Sequence, residues 1–438
     1  MLSILEASES IRNRGISPVE LVEQCLERIA ELNPKLNAFI TVTAESALTA
    51  AQQAEQEVVS GNWRGPLHGI PIGLKDLFDT VAGKTTAASA LFADRVPQQD
   101  AEVVCRLKNS GAIILGKQNL HEFAYGGSSL VSHFGPVRNA RNPEHIAGGS
   151  SGGSATAVAA EMCLAALGTD TAGSVREPAA LCGVVGLKPT YGRVSTQGVI
   201  PLSKSLDHVG PIAATVADCG LLLRALADPK TPEIEIPGNL KLPVRVGVPR
   251  TYFFKDLDPE VANAVEDGLR LLKSLGAEVR DIELSVPSDR KLQSAESWAY
   301  HKDFVARSPQ LYQTETLRRL RSGEHISAED IAQKQLELKL LREEIKQAFE
   351  RVDLMVTPTT PIPAPKVSEL TQNPELLRPR ELILLRNTRP FNVWGLPAIS
   401  VPCGRTRDGL PIGLQIAGPH WGENIVLQGA HAFELAAR

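Results

Sequence analysis

The stretch from residue 148 to residue 195, GGSSGGSATAVAAEMCLAALGTDTAGSVREPAALCGVVGLKPTYGRVS, decides the fold and the chemistry expected of this chain. It opens with four glycines and three serines at 148–154, and an alanine-rich run that predicts a helix follows. Small residues return at 168–176, GTDTAGSVR, around the single serine Ser174. Both segments leave backbone N–H groups exposed beside a serine hydroxyl, as anion binding or oxyanion stabilisation requires.

Three interpretations of the run at 148–154 compete. A helix N-terminus can cradle a phosphate, but the run lacks the GK[ST] of a P-loop and the GxGxxG of a dinucleotide fold. The run matches the GxSxG nucleophile elbow of α/β hydrolases twice, although no downstream Asp and His pair stands out. The glycines could also serve only to let a helix pack closely against its neighbours.

Two further features point to a buried reactive site. In GIPIGLKD, residues 69–76, Lys75 ends an apolar strand, where burial would lower its pKa. Asp170 and Arg176 are close enough in sequence to form an ion pair that stiffens the loop around Ser174. The combination of a lysine with two glycine- and serine-rich segments indicates a buried reactive site more strongly than any one of these motifs does.

Together these motifs resemble the amidase signature family of serine hydrolases, and the resemblance covers most of the chain. GIPIGLKD is similar to the family's lysine motif, residues 148–195 to its signature, and 396–404 with 409–418 to its closing strands. The resemblance implies one α/β/α domain built around a large, mixed, twisted β-sheet. It also implies a Ser–cis-Ser–Lys triad of Ser174, Ser150 and Lys75, since Ser174 follows Ser150 by the family's interval of 24 residues.

The resemblance assigns further roles at this site. The expected oxyanion hole consists of the backbone N–H groups of Thr171, Ala172, Gly173 and Ser174. The residues expected to support the site by hydrogen bonds or charge are Ser151, Ser154, Asp170 and Arg176.

Glu177 departs from the family pattern, in which an apolar residue or glutamine is expected after the arginine. Its carboxylate could pair with Arg176 or Arg193, or it could select against anionic substrates. It could also face Lys75 and favour the charged lysine. Ala172 stands where glycine is common in the family. Its side chain narrows the turn but leaves the backbone N–H donor in place.

Composition excludes several other classes of function. The 46 basic and 50 acidic side chains give a net charge of −4, which argues against nucleic acid as a ligand. Six scattered cysteines and nine histidines show no ligand spacing, so we expect no metal and no cofactor. No signal peptide and no apolar run of about 18 residues are present. We therefore expect a cytoplasmic monomer or homodimer with no membrane contact.

The organisation expected along the chain is a single domain, 1–438, made of four consecutive parts. These are N-terminal helices at 1–60, the signature core at 65–230, a strand–helix insertion and variable cover at 231–350, and C-terminal core strands at 351–438. Within the third part, the polar segment 288–325 is expected to be irregular, either as a mobile cover over the site or as a plain surface connection.

Local signals predict individual elements. A capping box at Ser17 and Glu20 predicts a helix to about Leu32, and a second helix is expected at about 43–60. The proline-rich segment 230–242 predicts a linker. The list of later elements comprises strands in LPVRVGV, AEVRDIEL, VDLMVTP, AISVPCG and IGLQIAG, a helix from Asp258-Pro259 to Gly276, and a helix from Ser327 to about Val352.

The resemblance implies an amidohydrolase that cleaves C–N bonds of neutral amides and extends to carbamates (urethanes), through an acyl- or carbamoyl-enzyme. A freestanding enzyme is favoured, because the tyrosine-rich stretch associated with the glutaminase (A) subunit of a tRNA-dependent amidotransferase is not found. That subunit, which works with partner chains, is the alternative, and a catalytically silent binding protein is a remote one. Candidate pocket residues are Phe123, Tyr125, Leu181, Cys182, Arg193, Leu202, Phe391 and Trp394.

Overall fold

A computed structural model describes residues 2–238 and 244–437 of the chain. Eleven strands in this part form one sheet. They are β1 (Phe39–Val42), β2 (Pro71–Lys75), β3 (Ile113–Gln118), β4 (Ala165–Asp170), β5 (Val185–Lys188), β6 (His208–Ala213), β7 (Arg245–Val248), β8 (Glu278–Asp281), β9 (Leu354–Pro358), β10 (Ala398–Arg405) and β11 (Pro411–Ala417).

The sheet has the order β1-β3-β2-β4-β6-β5-β10-β11-β9-β7-β8 and is mixed. β2 runs parallel to both β3 and β4, and β7 runs parallel to both β8 and β9. The pairings from β4 through β6, β5, β10 and β11 to β9 are antiparallel. The expected α/β fold around a large mixed sheet is confirmed.

Helices of the described residues cover the sheet. They are α1 (Ile4–Arg12), α2 (Pro18–Leu36), α3 (Ala44–Val59), α4 (Glu102–Asn109), α5 (Gly152–Ala159), α6 (Arg176–Cys182), α7 (Val216–Leu226), α8 (Arg250–Phe253), α9 (Pro259–Ser274), α10 (Lys291–Arg307), α11 (Thr314–Arg321), α12 (Ala328–Glu344), α13 (Val367–Gln372), α14 (Pro374–Leu384), α15 (Arg389–Val393) and α16 (Glu423–Ala437). Short 3-10 segments occur at Ala90–Phe92, Glu122–Ala124, Pro309–Leu311 and Ile345–Glu350. None of these helices is both long and apolar enough to cross a membrane.

The capping signals in the sequence correctly predict where several helices begin. The Ser17 hydroxyl accepts the Glu20 N–H at 3.1 Å and the Glu20 carboxylate accepts the Ser17 N–H at 2.8 Å, so the expected capping box starts α2. The helix continues four residues beyond the expected end, to Leu36, because Leu36 is buried in the core and Asn37 ends it in the left-handed conformation.

Two expectations about the variable region are wrong. The segment 288–325 is not irregular, because it contains α10 and α11, whose residues Leu292, Val305 and Leu320 are buried. The long helix expected to reach Val352 becomes a 3-10 segment after Glu344. Part of the expected linker at 230–242 lies outside the described residues.

The centre of the sheet brings distant motifs together. Every residue of β2 and of β4 is buried, and the two strands are parallel neighbours with Leu74 opposite Leu167. Lys75 ends β2 and Asp170 ends β4, so both side chains lie at the same edge of the sheet. The helix α5 packs on these strands, which places the glycine- and serine-rich run at that edge as well.

Candidate active site

Lys75 lies at the centre of the candidate site. Its side chain is fully buried, and its Nζ donates to the Ser150 hydroxyl at 2.7 Å and to the Thr169 hydroxyl at 2.8 Å. Burial lowers the pKa of Lys75 to about 7, although the carboxylates of Asp170 and Asp207 favour the charged form. Burial therefore increases the fraction of neutral lysine at neutral pH, and the neutral form is the one that can accept a proton.

The glycine- and serine-rich run forms a tight turn before α5. Its Gly149–Ser150 peptide bond is cis, as the family resemblance implies. The next residue, Ser151, donates its N–H to the Ser174 carbonyl at 3.2 Å, so the two serine segments are in direct contact. A Cβ on Gly152 would lie 2.5 Å from the Ser129 hydroxyl, which explains why a side chain is excluded there.

The two remaining serines of the run hold α5 against β4. The Ser151 hydroxyl donates to the Thr169 carbonyl, and the Ser154 hydroxyl donates to the Leu167 carbonyl, both at 3.3 Å. All of these groups are buried. The hydrogen bonds fix the distance between the helix and the strand that carries the second serine segment.

The turn around Ser174 requires glycine at position 173. Gly173 has a φ of 131°, and a Cβ there would clash with the Thr388 hydroxyl. The Gly173 N–H donates to the Asp170 carboxylate at 2.8 Å, so this donor is occupied. The N–H groups of Thr171, Ala172 and Ser174 have no backbone or side-chain acceptor in the described part of the chain, which leaves them available to a ligand oxygen.

The expected ion pair between Asp170 and Arg176 is present and buried, at 2.9 Å. Burial alone would raise the pKa of Asp170, but the charge and hydrogen bonds of Arg176 outweigh burial and hold it below its ordinary value. Arg176 also donates to the side-chain oxygens of Asn392 and Gln415, each at 2.7 Å. The pair therefore ties the Ser174 turn to the C-terminal strands.

A family model described as Amidase matches residues 20–427, which is most of the chain. The chain belongs to the amidase family. The curated relatives of this family member include the A subunit of the glutamyl-tRNA(Gln) amidotransferase of Geobacter metallireducens, 38% identical over 99% of this chain and 97% of the relative.

Solved structures agree with this assignment. One, described as an amidase, has a TM-score of 0.90 at 34% identity and covers 99% of both chains. The A subunit of the glutamyl-tRNA(Gln) amidotransferase of Thermotoga maritima has a TM-score of 0.78 at 33% identity, covering 99% of this chain and 94% of that one. The chain is thus an amidase signature enzyme that acts on C–N bonds.

Glu177, the residue that departs from the family pattern, supports the serine turn. Its carboxyl group accepts the Gly149 N–H at 2.7 Å, and burial raises its pKa well above the ordinary value. Neither arginine considered as its partner is available, because Arg176 pairs with Asp170 and Arg193 pairs with Glu423. The raised pKa of Glu177 favours the neutral carboxyl group, which repels an anionic substrate less than a carboxylate would.

Three of the candidate pocket residues make their contacts with other groups of the protein. The Arg193 guanidinium pairs with Glu423 at 2.6 Å and donates to the Pro232 carbonyl. Phe391 and Trp394 are buried in an aromatic cluster with Phe253, with ring centroids 5.4 Å apart between the first two. Hydrophobic and ionic packing therefore explains these three residues without a substrate.

The remaining pocket candidates divide between core and cavity. Phe123, Leu181 and Cys182 are fully buried in hydrophobic clusters. Leu202 lines a cavity of about 360 Å³ next to Thr169, the partner of Lys75. Tyr125 is buried, with its hydroxyl 3.4 Å from that of Ser294 on α10.

Three residues at the site escape sequence reasoning. Thr169 holds Lys75, and Thr388 donates to the Ala172 carbonyl at 2.7 Å. Asp207 accepts the Thr171 hydroxyl at 2.6 Å, and burial raises its pKa to about 6. The position of Thr169 beside Asp170 in the signature was an available signal, whereas nothing local marks the other two.

Among the described residues, no cluster of His, Cys, Asp or Glu suits a metal ion.

Proposed function

We propose that this amidase family member hydrolyses carboxamides with Ser174 as the nucleophile, Ser150 as the proton relay and Lys75 as the base. The observation that carries the proposal is the 2.7 Å hydrogen bond from a fully buried lysine to Ser150. An ordinary lysine, with a pKa of about 10.4, would be neutral in only roughly one molecule in 2,500 at pH 7. Burial makes the neutral form of Lys75 abundant.

The proposed reaction begins with proton transfer. Neutral Lys75 takes a proton from Ser150 while Ser150 takes one from Ser174, and the Ser174 oxygen attacks the amide carbon. Of the four expected oxyanion donors, the N–H groups of Thr171, Ala172 and Ser174 have no acceptor among the described residues and can hold the negative oxygen. The relay then returns the proton to the leaving nitrogen, the C–N bond breaks, and water hydrolyses the resulting ester.

The comparisons support the hypothesis of an amidotransferase subunit better than the hypothesis of a freestanding urethanase. The identity of 38% to the Geobacter metallireducens protein extends over 97% of that relative. We therefore place release of ammonia from glutamine, within a complex with partner chains, first among the amide reactions. No finding supports carbamates as substrates.

A freestanding amidase is the second candidate function. It is supported by the TM-score of 0.90 to an amidase, against 0.78 to the Thermotoga maritima protein. The match also covers 99% of that amidase, against 94% of the Thermotoga maritima protein. Both candidates use the same proposed chemistry at Ser174 and differ in the acyl group and in the partner chains.

The test measures ammonia released from glutamine and arylamine released from a neutral aryl amide and from the matching aryl carbamate. Wild type is compared with Ser174→Ala and with Ser274→Ala, a control that removes an exposed hydroxyl on α9. We expect turnover to disappear in Ser174→Ala and to persist in Ser274→Ala. Turnover retained in Ser174→Ala would contradict the assigned nucleophile, and preference for the carbamate would restore the urethanase prediction.

A further inference from the structure

A cavity of about 360 Å³ adjoins the lysine end of the candidate site. Thr169, whose hydroxyl accepts a hydrogen bond from Lys75 at 2.8 Å, forms part of its wall. The consecutive apolar residues 199–202, VIPL, form another part. Lys204 and Asp207, which carry opposite formal charges, also line it. The cavity therefore suits a small, largely apolar and uncharged group.

The Asp207 carboxylate joins this cavity to the Ser174 turn. It accepts the Thr171 hydroxyl at 2.6 Å, and the Thr171 N–H is one of the donors available to a substrate oxygen. The same carboxylate accepts the N–H groups of Leu202 and Ser203, at 2.9 Å and 3.0 Å. One side chain thus fixes both the cavity wall and the turn that carries the nucleophile.

The segment 199–207, which supplies most of the cavity wall, is held by two helices of the variable region. Glu296 on α10 accepts the Ser203 hydroxyl at 2.6 Å and the Ser205 N–H at 3.0 Å. Arg342 on α12 donates to the Ser205 carbonyl at 2.7 Å. These hydrogen bonds hold the wall in place, so the cavity is preformed.

His208, on the cavity wall and 3% exposed, has one ring nitrogen without a partner. Its Nδ1 lies 2.7 Å from the Leu206 carbonyl oxygen and 3.1 Å from that of Asp170, so Nδ1 carries a hydrogen and donates it. Burial lowers the pKa of His208 well below its ordinary value, which keeps the ring neutral and leaves a lone pair on Nε2. In the described part of the chain, no donor reaches Nε2. Such a buried acceptor is costly until an O–H or N–H group binds it.

The proposed reaction places the leaving nitrogen at this end of the site. The relay returns the proton through Ser150, which Lys75 holds, so the leaving nitrogen must lie beside the Ser150 hydroxyl when the C–N bond breaks. The carbonyl oxygen faces the N–H groups of the Ser174 turn instead. A group attached to the nitrogen is therefore the part of the substrate nearest Lys75, Thr169 and the cavity.

We propose that this cavity binds the amine part of the substrate, and that the enzyme hydrolyses N-substituted amides whose short apolar substituent ends in an uncharged hydrogen-bond donor. The inference rests on the proposed amide hydrolysis at Ser174 and names its leaving group. His208 Nε2 accepts the terminal O–H or N–H, while residues 199–202 contact the apolar carbons. When the C–N bond breaks, the relayed proton joins the nitrogen, and an amine that keeps this donor leaves. Glutamine, a primary amide, leaves the cavity empty, so the inference belongs to the freestanding amidase.

The test measures kcat/KM for pairs of N-alkyl butyramides, with chains of two to four carbons that end in a hydroxyl or, in the partner, in a methyl group. In the wild type we expect the best hydroxyl-ended amide to exceed its partner at least 10-fold. This ratio should fall at least 10-fold in His208→Asn, whose amide can still donate to the Leu206 carbonyl but has no group at the Nε2 position. The matched control, His325→Asn, changes an exposed histidine between α11 and α12 and should not alter the ratio.

A second variant tests the cavity itself. Leu202→Phe enlarges a side chain of the wall, and it should lower kcat/KM for the methyl-ended amides relative to butyramide at least 10-fold. Its control, Leu340→Phe, enlarges an exposed leucine of α12 and should not change that ratio. Each ratio compares two substrates of the same enzyme, so a smaller folded fraction cancels from it.

Binding of the same amides to Ser174→Ala, measured by calorimetry, separates this inference from the proposed function. If turnover survives Ser174→Ala, or if the wild type turns over no amide, the proposed function fails, but the dissociation constants still report on the cavity. His208→Asn added to Ser174→Ala should weaken binding of the hydroxyl-ended amides at least 10-fold. A cavity that holds water only would give equal dissociation constants within every pair, with and without His208→Asn, and would overturn the inference.

Discussion

The pH dependence of the reaction tests the buried lysine most directly. With the pKa of Lys75 lowered to about 7, its neutral fraction rises from about 9% at pH 6 to about 91% at pH 8. The value of kcat/KM should therefore increase about 10-fold over this range and become constant above about pH 8. A lysine with an ordinary pKa of about 10.4 would give a rise of about 100-fold without a plateau.

The assay is the initial rate of product release from a substrate that does not titrate between pH 5.5 and 9.5, measured well below KM. Under these conditions kcat/KM reports the ionisation of the free enzyme. A rate that continues to increase through pH 9, or that is constant from pH 5.5 to 8, would refute the assignment of Lys75 as the base.

A second titrating group must be separated from the lysine. Burial raises the pKa of Asp207 to about 6, and its carboxylate favours the charged form of Lys75. Asp207→Asn should therefore move the midpoint of the profile to lower pH and leave its shape intact. If the substitution instead removed the rise, Asp207 would be the group that the profile reports.

Two other substitutions probe the frame around Ser174 by urea unfolding at pH 7. Arg176→Met leaves the buried Asp170 carboxylate without its charge partner. We therefore expect the free energy of unfolding to decrease by about 3–5 kcal/mol. A decrease of less than about 1 kcal/mol would contradict a structural role for the ion pair. Glu177→Gln should change that free energy by less than about 1 kcal/mol, because burial favours the neutral carboxyl and glutamine can accept the same Gly149 N–H. A loss above about 3 kcal/mol would show that Glu177 is charged in the folded protein.

Much of the fold was predictable because its signals are local. The capping box at Ser17 and Glu20 starts α2, and Asp258 caps α9. The strands at the C-terminus were recognisable as short apolar runs, and all of them lie in the sheet. By contrast, the polar composition of 288–325 concealed α10 and α11, since the few apolar residues that anchor them gain stability only from distant parts of the core.

The amino-acid sequence by itself determined the family and predicted that the lysine motif and the two serine segments meet, because these motifs have a recognisable composition and spacing. Only the tertiary structure decided how those residues behave. The pKa of Lys75 depends on burial by strands and helices far apart in sequence. In the same way, the carboxyl group of Glu177 accepts a hydrogen bond from the serine turn and has its pKa raised by burial, and Arg193 and Trp394 are buried in the protein interior. Desolvation and charge pairing depend on which residues are neighbours in space. The local sequence around a residue does not show which distant residues will be its neighbours in the folded protein.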